Sequence, residues 1–256
     1  TLSLHDALPI LGDWYQTPRF VEGVSIDWDA LGTRSYVQQI PAIRSIEHLA
    51  FDSAVTFFVG ENGTGKSTLL EAIAVAYGFN AEGGTLNYRF STVDDVSRLC
   101  DALTVERGRG KSQSSYFFRA ESFFNVATKA RDYAGGGYRS QVLAHLHERS
   151  HGEGFLDFFN SFDGAGLYIM DEPEAALSPQ RQLALLTRLH ESAARGAQFI
   201  IATHSPILLA LPGATILDFD GDVIRPIEYE DTDSYRVLGL FINHRDAVLR
   251  RLFADE

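Results

Sequence analysis

The chain has 256 residues, 45% of them hydrophobic, which is enough for one sizeable buried core and does not require a second. Its 22 Lys and Arg against 34 Asp and Glu give a formal net charge of -12, which lowers the expectation of nucleic-acid binding but leaves room for a local basic patch. The single cysteine, Cys100, excludes an internal disulfide and reads as a near-core residue in a reducing, cytoplasmic compartment; no apolar run approaches the roughly 20 residues of a bilayer span, so membrane insertion is not expected.

Residues Thr1 to Ile10 resemble the in-frame translation of a common sequencing adapter, which implies that the natural chain continues differently upstream and that 11–256 forms the functional domain. Phe20 to Ile26 and Tyr36 to Ile40 read as short strands, rich in β-branched and aromatic residues. Ala54 to Val59 is a short apolar run bounded by glycine, the pattern of a strand covered on both faces. After Lys66 the period changes: Leu69, Leu70, Ile73, Ala76 and Tyr77 lie on one helical stripe that Gly78 ends.

The middle of the chain is less regular. Ala81 to Thr85 and Ala134 to Gly137 are glycine-rich turns, and Arg107 to Ser115 is polar and expected to be exposed. Tyr116 to Ala120 predicts a strand, and Gln141 to Glu148 a short helix. Leu167 to Met170 is a second buried strand, followed by a helix over Gln180 to Ala194 with Leu183, Leu186 and Leu189 on its apolar stripe. Gln198 to Thr203 is a third buried strand, and Thr215–Phe219 and Val223–Ile227 bracket Gly221 as a hairpin. Strands alternating with helices predict an α/β domain with a mostly parallel sheet. The part before the glycine loop is expected to add an antiparallel strand layer.

Gly60-Glu61-Asn62-Gly63-Thr64-Gly65-Lys66-Ser67 matches the spacing G-x-x-x-x-G-K-[ST], with a strand before it and a helix after it. Glycines let the backbone curl until several N–H groups face one anion, and the helix start adds its positive end. Lys66 is then placed to reach the β- and γ-phosphates of ATP, and Ser67 to ligate Mg2+; Gly60, Asn62, Gly63, Thr64, Gly65 and Thr68 complete the phosphate cradle. The strand Leu167 to Met170 ends in Asp171 and Glu172, and ligands of parallel sheets sit beyond such strand ends. Asp171 is the expected Mg2+ ligand, and Glu172 the group that orients or deprotonates the attacking water. His204 leaves its strand at the same edge, in reach of a γ-phosphate. The other histidines, among them His145, His147 and His190, have no such placement, and no Cys/His cluster has zinc spacing.

Together these residues resemble the ABC-type ATPases, and more narrowly the stand-alone bacterial AAA-family ATP-binding proteins related to SMC heads, over Tyr36 to Phe219. The resemblance implies a P-loop NTPase fold with a small helical region, the signature-bearing part lying at about 90–160. It makes Gly60 to Ser67 the Walker A loop, Leu167 to Glu172 the Walker B strand with Glu172 as catalytic glutamate, and His204 the switch histidine. Glu174 to Pro179 stands where the family has its D-loop, a segment that meets the partner subunit. Ser150-His151-Gly152-Glu153 is similar to the signature LSGGQ; Ser150, Gly152 and Glu153 are then expected to close over the γ-phosphate of a second copy, giving an ATP-dependent homodimer. At the Q-loop position the strand is followed by Glu121 in place of glutamine, an additional candidate for Mg2+, with Gln113 and Gln141 as weaker alternatives.

No long heptad insert separates the two Walker motifs, and no helical lid of the ring-forming motors is present, so neither a full SMC arm nor a hexamer is expected. Three readings stay open: an ATP hydrolase coupled to an unidentified protein partner, a nucleotide-dependent DNA-maintenance or defence module, and a transporter ATP-binding subunit. Glu172 favours hydrolysis, because a pure binder has no use for a carboxylate beside the γ-phosphate.

Overall fold

The computed structural model describes residues 19–31, 35–86, 98–110, 114–121, 164–175 and 177–254. The adapter-like start, the turn Ala134–Gly137, the helix Gln141–Glu148, Gln113 and the signature residues Ser150 to Glu153 lie outside the described residues.

Within them, β1 (Val21–Ile26), β2 (His48–Ala50) and β5 (Leu103–Arg107) form a three-stranded antiparallel sheet in the order β2-β1-β5. The larger sheet has seven strands in the order β10-β9-β3-β8-β7-β6-β4. They are β3 (Val55–Val59), β4 (Gly84–Thr85), β6 (Tyr116–Arg119), β7 (Leu167–Asp171), β8 (Gln198–Ala202), β9 (Thr215–Asp218) and β10 (Arg225–Ile227). Its five central strands are parallel, and β4 and β10 close the edges antiparallel.

The central strands are mostly apolar because both faces are covered. Phe58, Phe117, Ile169 and Ile200 point to one side, where they meet Leu69, Leu70 and Ile73 of α2 (Lys66–Tyr77) and Val24 of β1. Phe57, Phe118, Tyr168, Met170 and Ile201 point to the other, against Leu185 and Leu189 of α4 (Pro179–Ala194) and Leu208 of α5 (Pro206–Leu209). Two short helices, α1 (Pro41–Arg44) and α3 (Leu99–Ala102), belong to the first side. The smaller sheet is stitched to β8 by one buried side chain. Gln198 Oε1 accepts from the amides of Phe20 and Val21 at 2.8 and 2.9 Å, and its Nε2 donates to Val21 O at 2.8 Å.

Several local expectations change. Tyr36–Gln39 is a 3-10 turn and not a strand. Of its residues only Val37 is buried, and Pro41 starts α1 directly after it, so no neighbouring strand pairs with this segment. Arg107 and Arg109 are exposed as expected, the Arg107 guanidinium lying on the Tyr77 carbonyl at 2.5 Å and over the Tyr77 ring, but Ser114 and Ser115 are buried. The core stripe of α4 is Leu185, Leu189, Ser192 and Ala193, while Leu183 is exposed. Cys100 is half-buried against the core, and burial raises its thiol pKa. Beyond the hairpin, α6 (Asp233–Leu252) is a 20-residue helix with no buried residue and a break at His244. No helix among the described residues is long and apolar enough to cross a membrane.

Candidate phosphate and metal site

The loop Gly60–Gly65 joins the buried strand β3 to α2 at the carboxyl edge of the large sheet. Its glycines are needed most at Gly65, the residue before the helix. There φ is 97°, and a Cβ would stand 2.5 Å from Ile43 Cδ1. Thr64 Oγ1 donates to Glu61 O at 2.9 Å and closes the loop on itself. Leu69 N–H is bonded to Gly65 O, so the amides of Lys66, Ser67 and Thr68 precede the helical ladder and form the electropositive end of α2. Asn62 and Gly63 lie exposed at the loop tip.

Lys66 is buried, 6% exposed, with Nζ donating to Gly60 O at 2.6 Å and Glu61 O at 2.7 Å. Burial lowers its pKa, and the carboxylates of Asp220, Glu172, Asp171 and Glu61 oppose that shift. The cation is therefore held at the mouth of the loop amid four acidic groups.

The acidic strand end arrives at the same place. Arg119, Asp171 and Ala202 are register partners across β6, β7 and β8, and Ala202 pairs with Phe58 of β3 two residues before Gly60. Ser67 Oγ donates to Asp171 Oδ1 at 3.0 Å, across 104 positions of sequence. Burial raises the Asp171 pKa to about 6; the Ser67 hydrogen bond and the Arg119 charge pull it down, while Glu172 and Glu121 push it up. Among the described residues no group of three or more His, Cys, Asp and Glu could hold a metal ion. A hydroxyl and one carboxylate, both hard oxygen donors, do suit Mg2+, which is commonly bound by one or two carboxylates, waters and substrate phosphates.

Glu172 continues the pairing of β7 through its N–H to Ala202 O at 3.0 Å, then turns left-handed with φ 49°. It is the one non-glycine residue among the described residues with positive φ, a conformation that costs on the order of 1–3 kcal/mol and clusters at functional sites. Its side chain is exposed. Glu121 follows β6, where Ala120 N–H bonds Asp171 O at 3.2 Å, and is exposed. His204 follows β8 and lines a cavity of about 380 Å³ together with Gly60, Glu61 and Asp220.

The structure thus brings together Lys66, Ser67, Asp171 and Glu172 as the sequence predicted, with Glu121 and His204 at the same sheet edge. Three residues escaped that prediction. Arg119 is paired with Glu71 at 2.6 Å and still lowers the Asp171 pKa. Asp220 accepts the Glu61 amide at 2.5 Å. Glu174 accepts the His204 amide at 2.7 Å. For Asp220 a signal existed: it follows the strand Thr215–Phe219, and a parallel strand beside β3 must end next to Gly60.

A phosphate loop and an acidic strand end converging at one edge of a parallel sheet define a P-loop nucleotide-binding fold. Two family models match the chain. One, "AAA domain", covers residues 33–126 and the phosphate loop; the other, "AAA domain, putative AbiEii toxin, Type IV TA system", covers 139–210, including Asp171, Glu172 and His204. Both are models of AAA domains, and between them they take in the phosphate loop and the acidic strand end of the P-loop fold. Similar solved structures include the SMC head domain from Thermotoga maritima, at 14% identity and TM-score 0.42 over 82% of this chain and 99% of that one. Another is "a putative metal-chelate type ABC transporter" in an inward-facing conformation, at 18% identity and TM-score 0.42 over 73% and 76%. No curated protein matches the chain.

Proposed function

We propose that the chain binds ATP with Mg2+ at Gly60 to Thr68 and hydrolyses it between two copies that close over the nucleotide. The observation that supports this reading is the 3.0 Å hydrogen bond from Ser67 to Asp171, which joins the start of the helix after the phosphate loop to the acidic strand end. Mg2+ held by Ser67 and Asp171, with Glu121 as a further carboxylate nearby, would neutralise charge on the transferred phosphoryl group. Lys66 would exchange the carbonyls of Gly60 and Glu61 for phosphate oxygens. Both carbonyls are neutral acceptors, so the exchange trades ion–dipole bonds for bonds between opposite charges. Glu172 would hold the attacking water and take its proton as the new P–O bond forms and the bond to ADP breaks. His204 would contact the γ-phosphate from the neighbouring strand end, and Ser150, Gly152 and Glu153 of a second copy would complete the site. The whole of 11–256 would serve as one such domain, working in the reducing cytoplasm as its lone cysteine permits.

The test is ATP turnover measured against protein concentration, with sedimentation of the Glu172→Gln protein in ATP and Mg2+. Turnover should rise faster than linearly, and the E172Q protein should sediment as a dimer with ATP and as a monomer without it. Full specific activity at a dilution where only monomer exists would sink the two-copy site. Absence of turnover at every concentration would sink the hydrolase reading.

A further inference from the structure

Glu174 lies on neither the phosphate loop nor the metal pair, yet it joins the segment after Glu172 to the loop that carries His204. Its Oε1 accepts the His204 amide at 2.7 Å. Thr203 and Ser205, on either side of His204, are buried, while the His204 side chain is exposed. A second tie runs in parallel. Ser205 Oγ donates to Gln182 Oε1 at 2.6 Å, and Gln182 Nε2 donates to Leu177 O at 3.0 Å. Leu177 N–H in turn bonds Glu174 O at 2.8 Å, and Ala175 N–H bonds Glu172 O at 3.1 Å. These bonds tie the segment from Glu172 to Leu177 to itself and, through Gln182, to Ser205, the residue after His204. In a sheet both strands would simply end, and their loops would move independently. Here a carboxylate bonded to a backbone amide, a charge-assisted contact, links them.

From this geometry we infer that Glu174 is a positioning residue, which holds His204 in register with Glu172 and transmits displacement of the segment after Glu172 to it. The inference rests on the proposed function, since it assigns His204 and Glu172 to one reaction. A side chain that sets the orientation of a catalytic group affects the chemical step more than ground-state binding, and a misplacement of about 1 Å can cost on the order of 10²-fold.

The experiment uses the full chain as wild type, Glu174→Ala, Glu174→Gln and Glu174→Asp, with steady-state kcat and KM for ATP and with the amide proton shift and exchange protection of His204. Glu174→Ala should lower kcat by on the order of 10²-fold with KM for ATP within about twofold, and the His204 amide should move upfield and lose protection. Glu174→Gln keeps an oxygen acceptor of the same reach and should restore most of kcat and the amide shift. Glu174→Asp keeps the charge but is shorter by about 1.5 Å, so it should behave like Glu174→Ala; it decides the matter if the alanine protein does not fold. Wild-type turnover with unimpaired kcat in the Asp and Ala proteins would overturn this inference alone, as would equal loss in the Gln and Ala proteins. A wild-type chain without turnover would overturn the proposed function and this inference with it.

Discussion

Replacing Gly65 by alanine tests the phosphate loop at the point where backbone and packing constraints coincide. The backbone there has φ 97° and ψ 6°, a left-handed conformation that costs an L-residue with a side chain about 1–2 kcal/mol. The new methyl would also stand 2.5 Å from Ile43 Cδ1, 2.9 Å from Ile43 Cγ1 and 3.0 Å from Ile40 Cγ2. Ile43 is fully buried, so it has little room to give, and overpacking of this kind costs about 1–3 kcal/mol. The expected loss is therefore about 2–5 kcal/mol. Gly63 serves as the internal control. Its φ is 88°, but nothing lies within 4 Å of its Cβ position, so Gly63→Ala should lose only the conformational part, about 1–2 kcal/mol. The assay is the urea midpoint of each variant, alone and combined with Ile43→Val, which removes the closest of the three atoms. Ile43→Val should cost about 0.5–1.5 kcal/mol in the wild-type chain and less, or nothing, in the Gly65→Ala background. ATP affinity should fall in parallel, tenfold for every 1.4 kcal/mol by which the loop is displaced from its binding form. Equal destabilisation by Gly63→Ala and Gly65→Ala, together with strict additivity of Ile43→Val, would refute the packing argument.

Other consequences follow from single contacts. Gln198→Leu leaves two buried amides and one carbonyl of Phe20 and Val21 without partners, each costing about 1–3 kcal/mol, so the urea midpoint should drop by at least about 3 kcal/mol equivalent. A drop below about 1 kcal/mol would mean that the two sheets are not joined there. In EDTA, Asp171 carries a pKa raised to about 6, so the folded chain binds a proton more readily than the unfolded one. Its contribution to stability is fully present below the unfolded carboxyl pKa and is lost as pH rises through about 6; Asp171→Asn should remove this part of the pH dependence and stabilise the metal-free chain at neutral pH. An unchanged pH slope between wild type and Asp171→Asn, followed by urea midpoints from acid to neutral pH, would contradict the burial of this carboxylate. Val237 and Ile242 on α6 are 67% and 68% exposed, so Val237→Lys and Ile242→Lys should each leave the midpoint within about 0.5 kcal/mol, whereas a larger loss would show that this face is covered.

The phosphate loop and the buried strands around it were legible in the chain because their causes are local. The glycines at 60, 63 and 65 are required by the turn itself, and runs such as Phe57-Phe58-Val59 are apolar wherever the neighbouring strands come from. Segments whose structure depends on distant partners were not legible. Tyr36 to Ile40 has strand-like composition but finds no strand to pair with, and Leu103–Arg107 becomes a strand because β1 offers it an edge. On α4, leucines occupy 183, 185, 186 and 189, so their spacing does not single out a buried face; contact with the sheet selects Leu185 and Leu189.

The site divides along the same line. Residue types and spacing singled out Lys66, Ser67, Asp171 and Glu172 as candidates, because phosphate and metal chemistry need such groups at the ends of strand–loop–helix units. Register across β6, β7, β8 and β3 brings Asp171 within 3.0 Å of Ser67. The left-handed turn at Glu172 and the bond from the His204 amide to Glu174 likewise arise only when separate strand ends meet. Backbone pairing and burial on both sheet faces set those meetings, and they act between residues that the chain keeps far apart.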